Sequence, residues 1–180
     1  MTRSPARSTS CGYSPALVVH VDPVVTSTSI DVSDDAPVFT ADKALAQAKI
    51  AEAEITKGQM AQGADVIYAA AGATGLGVLQ AAADGGALSI GVDANQNYLH
   101  PGTMLTSMLK RVDTAVFQVI KDAKEGKFTA GTQRFGLQNQ GVDYSIDQYN
   151  EKLISRDIRK KVDQIKADIA SGKISVPDYY

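Results

Sequence analysis

Tryptophan is absent from these 180 residues, and phenylalanine and tyrosine together supply only eleven aromatic rings, four and seven respectively. A chain so poor in aromatics offers no stacking platform for single-stranded nucleic acid. A basic excess is also lacking. The net charge of −2 argues against a nucleic-acid-binding surface, which needs clustered Lys and Arg. Cys11 is the single cysteine, so the chain has no internal disulfide and no thiolate metal site of its own. The two histidines, His20 and His100, share no ligand-like spacing, and a structural zinc site is not expected. No cofactor is implied. No apolar run approaches the roughly 20 residues that a membrane-spanning helix requires. Arg3 and Arg7 are followed by Ser and Thr rather than by an apolar stretch, so the N-terminus does not read as an export signal. Ser8-Thr9-Ser10 ahead of Cys11 lacks the leucine-like residue of a lipoprotein signal, and Cys11 reads as incidental.

What is present is an ordinary globular composition, 44% apolar and 21% charged, in a chain long enough to bury a core. It divides into an atypical segment over residues 1–40, rich in Ser, Thr, Pro and Val, and a more regular part over 41–180. In the first segment Leu17–Val21 and Val24–Val32 read as strands, and Asp34–Pro37 as a turn. Residues 41–62 carry helical spacing, with Thr40 or Asp42 as the cap. Ala64–Ala71 is a short apolar run that ends at Gly72, as expected of a parallel strand covered on both faces. A glycine-rich loop over residues 72–77, a short helix to Asp84 and a second buried strand over Ala87–Val92 complete a strand–loop–helix–strand unit of crossover length. Met104–Met108 predicts a strand. Val112–Ala123 predicts a helix with Val112, Ala115, Val116, Val119 and Ile120 inward. Thr132–Leu137 predicts a strand. Ile154–Ala170 predicts a helix with Ile158, Val162, Ile165 and Ile169 inward. Ile174–Pro177 predicts a terminal strand. The fold class is α/β, a parallel sheet flanked by helices.

In open parallel sheets ligands sit at the carboxyl ends of strands. Three positions there carry chemistry. Gly72 opens the Gly72-Ala73-Thr74-Gly75-Leu76-Gly77 loop, whose glycines let backbone approach a ligand and whose helix offers N–H groups. A tight strand-to-helix turn needs the same glycines. The loop has neither the dinucleotide spacing nor the Lys-Ser/Thr of a phosphate loop. Asp93, after Gly91-Val92, presents a carboxylate that can accept two hydrogen bonds from a vicinal diol, or can simply cap a turn. Lys110 can donate to a ligand hydroxyl, pair with Asp93, or be solvated beside Arg111. His100, in His100-Pro101-Gly102, reads as a surface turn residue, and no nucleophile–base–acid grouping stands out.

Four stretches together resemble one family. They are residues 62–78, Ile90-Gly91-Val92-Asp93-Ala94-Asn95-Gln96, residues 105–113 with Ser107-Met108-Leu109-Lys110-Arg111 at their centre, and Gly172-Lys173-Ile174-Ser175-Val176-Pro177. In this order and spacing they are similar to the basic membrane protein family of ABC-transporter substrate-binding lipoproteins, over about residues 50–177. The resemblance implies one lobe plus hinge segment of a type I periplasmic-binding-protein fold, with a helix over residues 112–125 that crosses the hinge to a first lobe. It implies a nucleoside-like ligand, ribose contacts at Gly72, Asp93 and Lys110, an ABC-transporter permease as partner, and a place in the cell envelope. Full members are about twice this length and carry a signal peptide and a first lobe, neither of which is seen in this sequence. Two other readings stay open at this level: a nucleotide-dependent α/β enzyme that uses the 72–77 loop for phosphate, and a truncated, non-functional remnant.

Overall fold

The computed structural model describes residues 18–20 and 41–176. The strand expected over Val24–Val32 and the turn over Asp34–Pro37 lie outside these residues. The described elements interleave strands and helices, except that the fourth strand follows the third with no helix between them. Strand β1 (Val18–His20) is followed by helix α1 (Ala41–Ala61), β2 (Val66–Tyr68), α2 (Gly75–Asp84), β3 (Leu88–Gly91), β4 (Met104–Lys110), α3 (Val112–Lys124), β5 (Val142–Tyr144) and α4 (Arg156–Ala170). One sheet runs in the order β1-β2-β3-β4-β5, its first four strands parallel and β5 antiparallel to β4. The α/β class and the parallel sheet expected from the sequence are therefore present, with one antiparallel edge strand added.

The core lies between α2 and the sheet. Ile67, Val78, Leu79 and Met104 are fully buried, and small residues (Ala64, Ala69, Ala82 and Ala87) fill the space between them. Each large side chain removed from water contributes roughly 1.5–3 kcal/mol. Alanine and glycine are abundant here because the layers are close. A Cβ on Gly77 of α2 would lie 2.1 Å from the Lys49 carbonyl oxygen of α1, so only glycine permits this helix crossing. Ser89 is the polar exception in the buried strand, and its hydroxyl donates to the Met104 sulfur at 3.0 Å.

Two expectations are corrected. Residues 132–137 do not form a strand, and the ladder partner of β4 is Val142–Tyr144. Glycines decide this. Gly131 has a φ of 113°, and the Gly141 N–H donates to the Gly136 carbonyl at 2.7 Å, folding the chain back on itself. Phe135 then lies against Gly141 so closely that an added Cβ would meet its backbone. Ile174–Val176 is also not a strand. The Ile174 N–H returns to the Asp168 carbonyl at 3.1 Å after the left-handed Gly172, closing the end of α4.

The helical spacing of α3 and α4 is as read, but their apolar faces are not inward. Val112, Val116, Phe117 and Ile120 of α3 are exposed, Phe117 to 67%, while Ala115 and Val119 are half-buried. Ile158, Val162 and Ile165 of α4 are exposed in the same way. Ile169 of α4 is half-buried, and the rest of these stripes stays largely open to solvent. Periodicity marks which face is apolar, and it carries no information about what lies against it.

Candidate functional site

The parallel strands direct their carboxyl ends to one edge, and the three predicted residues all lie on it. Gly72 follows β2 and opens a three-residue 3-10 turn, Gly72–Thr74, that leads directly into α2. Its φ is +53°, and a Cβ there would meet nothing within 4 Å. The backbone conformation favours glycine, and the space beside it is open to an approaching molecule. No side chain caps α2, because the Thr74 hydroxyl donates to the Ala71 carbonyl at 2.7 Å instead.

Asp93 lies two residues past the end of β3, exposed, with a φ of +67°. Asp93 and Gln140 are the non-glycine residues with positive φ among the described residues. Aspartate tolerates this region better than most residues, yet such a backbone generally persists only where its surroundings determine it. Here the Lys110 N–H donates to the Asp93 carbonyl at 2.9 Å, and the Val92 N–H donates to Gln96 Oε1 at 2.9 Å. Lys110 is the last residue of β4 and is exposed. Backbone bonding thus joins Asp93 and Lys110 directly. Their charged ends form no ion pair among the described residues, which answers the alternative in which the two neutralise each other.

Sequence reasoning missed what surrounds these positions. Tyr68 ends β2 on the same edge, and its phenol is pushed upward by burial and then by the Asp93 charge. Beneath the Asp93 turn lies a buried polar network. Ser107 Oγ accepts from the Gln96 N–H at 3.0 Å and donates to Asn97 Oδ1 at 2.8 Å. Asn97 Nδ2 donates to Ser145 Oγ at 2.9 Å and to Asp147 Oδ2 at 3.1 Å. Asn150 Nδ2 donates to the carbonyls of Leu105 and Ser145. Asn97, Ser107 and Asn150 are fully buried, and each polar end finds a partner, as a buried network requires. Burial raises the Asp147 carboxyl, but bonds from Asn95, the Tyr149 N–H and Asn97 outweigh it and hold the group below its ordinary range. The signal was legible in part: Asn95-Gln96-Asn97 directly after a buried strand, and Thr106-Ser107 inside an apolar one. Beside Lys110 a recess of about 400 Å³ is lined by Met108, Val112, Phe135 and Val142 among others.

Fold and edge together define a class, an α/β lobe that offers backbone N–H groups, a carboxylate and an ammonium at the carboxyl ends of adjacent parallel strands. Solved proteins share the fold. An ABC transporter system solute-binding protein from Aeropyrum pernix matches with a TM-score of 0.58 and 31% identity, over 73% of this chain and 46% of that one. A protein described as a transcriptional activator of the comK gene from Bacillus halodurans matches with a TM-score of 0.62 at 23% identity, over 69% and 43%, and shows the fold alone. Residues 40–179 match the family described as ABC transporter substrate-binding protein, PnrA-like, and the chain belongs to that family. Its curated relatives include basic membrane protein D of Borreliella burgdorferi, 36% identical over 64% of this chain and 35% of that one. They also include the ABC transporter nucleoside-binding protein BmpA of Lactococcus lactis, 35% identical over 64% and 36%. The chain spans little more than a third of the length of these relatives. The family is one of transport substrate-binding components, which sets aside the enzyme reading.

Proposed function

We propose that this lobe forms one wall of the solute cleft of an ABC-transporter substrate-binding protein, and that the solute is a nucleoside. The observation that carries this reading is the meeting of Asp93 and Lys110 through the 2.9 Å Lys110 N–H to Asp93 carbonyl bond, at the strand edge shared with Gly72. Asp93 accepts the vicinal hydroxyls of the ribose, Lys110 donates to one of them, and the open backbone at Gly72 approaches the sugar. A charge-assisted bond of this kind is worth roughly 1.5–3 kcal/mol. The name of the Lactococcus lactis relative, a nucleoside-binding protein, supports the ligand class. On this reading residues 1–40 are an atypical N-terminal segment that contributes β1 to the sheet. Residues 41–180 form the binding lobe, and the helix over 112–125 crosses the hinge. The protein works in the cell envelope beside a permease, a placement supported by relatives named as lipoproteins.

The test is a titration of the ¹⁵N-labelled chain with guanosine and adenosine, with NAD and ATP as comparisons. The expected result is shifts of the Gly72, Asp93 and Lys110 amides with the nucleosides, and weaker ones with the charged nucleotides. Nucleoside shifts confined to other parts of the chain, or none up to the solubility limit, would sink the assignment.

A further inference from the structure

The left-handed turn at Asp93 is held from below by one residue with two attachments, one through its side chain and one through its backbone. Gln96 Oε1 accepts the Val92 N–H at 2.9 Å, immediately before Asp93, while the Gln96 backbone N–H is fixed by the buried Ser107 hydroxyl at 3.0 Å. The packing around it leaves no slack. A Cβ on Gly91 would lie 2.7 Å from Gln96 Oε1 and 2.8 Å from Ser107 Oγ, so the glycine before the turn makes room for this contact. Ser107 is in turn held by Asn97, and Asn97 by Ser145 and Asp147 from the segment after β5. Three separate parts of the chain thus converge on the two residues that precede and support the exposed carboxylate.

We propose that Gln96 is a positioning residue that sets the backbone conformation of Asp93, and through it the preference of the site for a ligand with a vicinal diol. The ligand half of this inference rests on the nucleoside reading above; the conformational half does not. Without the Gln96 acceptor the Val92 N–H loses its partner, the turn relaxes toward ordinary negative φ, and the carboxylate swings off the direction set by the Lys110 N–H bond. A diol needs both carboxylate oxygens correctly placed, whereas a single hydroxyl tolerates misplacement.

Two variants separate the possibilities. Gln96→Met keeps the length of the side chain and removes the acceptor; Gln96→Glu keeps an acceptor oxygen at the same place. In the ligand-free chain a residue with a left-handed φ gives a strong intraresidue amide-to-Hα cross-relaxation peak. That peak is expected for Asp93 in the parent and in Gln96→Glu, and is expected to weaken in Gln96→Met with the rest of the spectrum unchanged. Its persistence in Gln96→Met overturns the proposal whether or not any ligand binds. With ligand, the parent and Gln96→Glu are expected to favour guanosine over 2′-deoxyguanosine. Gln96→Met should lose roughly tenfold in guanosine affinity, the equivalent of one charge-assisted bond, and with it most of the discrimination. Equal discrimination in all three proteins overturns the functional half. A parent that binds neither nucleoside, with the Asp93 peak behaving as expected, overturns the nucleoside reading and leaves the positioning role standing.

Discussion

Tyr144 shows how one side chain in this lobe is tuned by its setting. Its hydroxyl donates to the Asp163 carboxylate of α4, and its pKa is pushed up to about 12, first by burial and then by that bond and the charge behind it. The neighbouring Asp143 moves the other way. Burial raises it, and the Lys166 ammonium at 2.7 Å, with the Tyr144 N–H, more than compensates. A raised phenol pKa means that the contribution of the neutral phenol is complete below about pH 10, the ordinary tyrosine value. It is lost as pH rises toward 12. Alkaline titration followed by tyrosinate absorbance is unobstructed by tryptophan, which the chain lacks. A component ionising near pH 12 is expected that disappears in Tyr144→Phe, leaving the raised phenol of Tyr68 in place. In Asp163→Asn that component should move back only part of the way, because burial remains. A single step near pH 10 for all tyrosines of the folded chain contradicts the assignment. None of this pairing was legible in the sequence, since Tyr144 and Asp163 belong to different elements and only the β5–α4 connection brings them together.

At the scale of elements, the α1–α2 crossing is a tight joint. Gly77→Ala places a methyl 2.1 Å from the Lys49 carbonyl, backbone that cannot rotate away. The two helices must separate, and a loss of at least about 1–3 kcal/mol is expected, read as a lower urea midpoint. Gly58, in the last turn of α1, is the contrast: a Cβ there meets nothing within 4 Å. Gly58→Ala is expected to stabilise by about 0.5–1 kcal/mol, because alanine gives up less backbone entropy than glycine in a helix. Identical responses at the two glycines would show that the crossing is looser than described. The unit from β2 through α2 to β3 was legible because apolar runs and glycine punctuation agree over residues 64–91. The strand read over 132–137 was misplaced because Gly131, Gly136 and Gly141 spend that stretch on a reversal of direction, and the pairing with β4 begins only after it. Gly72, Asp93 and Lys110 could each be located from the sequence at a strand end. The network over Gln96, Asn97 and Ser107 was legible only as polar residues in and after apolar strands, because its bonds reach across 10 to 50 positions.

Taken whole, the lobe presents its candidate residues on an exposed edge. Binding sites for small molecules commonly enclose about 70–90% of the ligand surface, and one wall supplies only a portion of that contact. Every 1.4 kcal/mol of contact forgone weakens binding about tenfold. Isothermal calorimetry of the 180-residue chain with guanosine or adenosine is therefore expected to give dissociation constants well weaker than about 1 μM. A micromolar or tighter constant would show that the lobe encloses its ligand unaided. The apolar stripes of α3 and α4 belong to this scale too, for their exposure is a property of the whole surface and not of either helix alone.

The strand order carries one more consequence. Among the described residues, each strand from β1 to β5 lies beside the described strand before it. Between these described strands no gap has to be held open for a later one to thread into, as it must be in sheets whose order is shuffled. A polypeptide leaving the ribosome can lay each strand against an edge that already exists. The residues of the candidate site then come together in the order in which they are translated, Gly72 first, then Asp93, then Lys110, and the polar network closes only when Ser145 and Asp147 arrive.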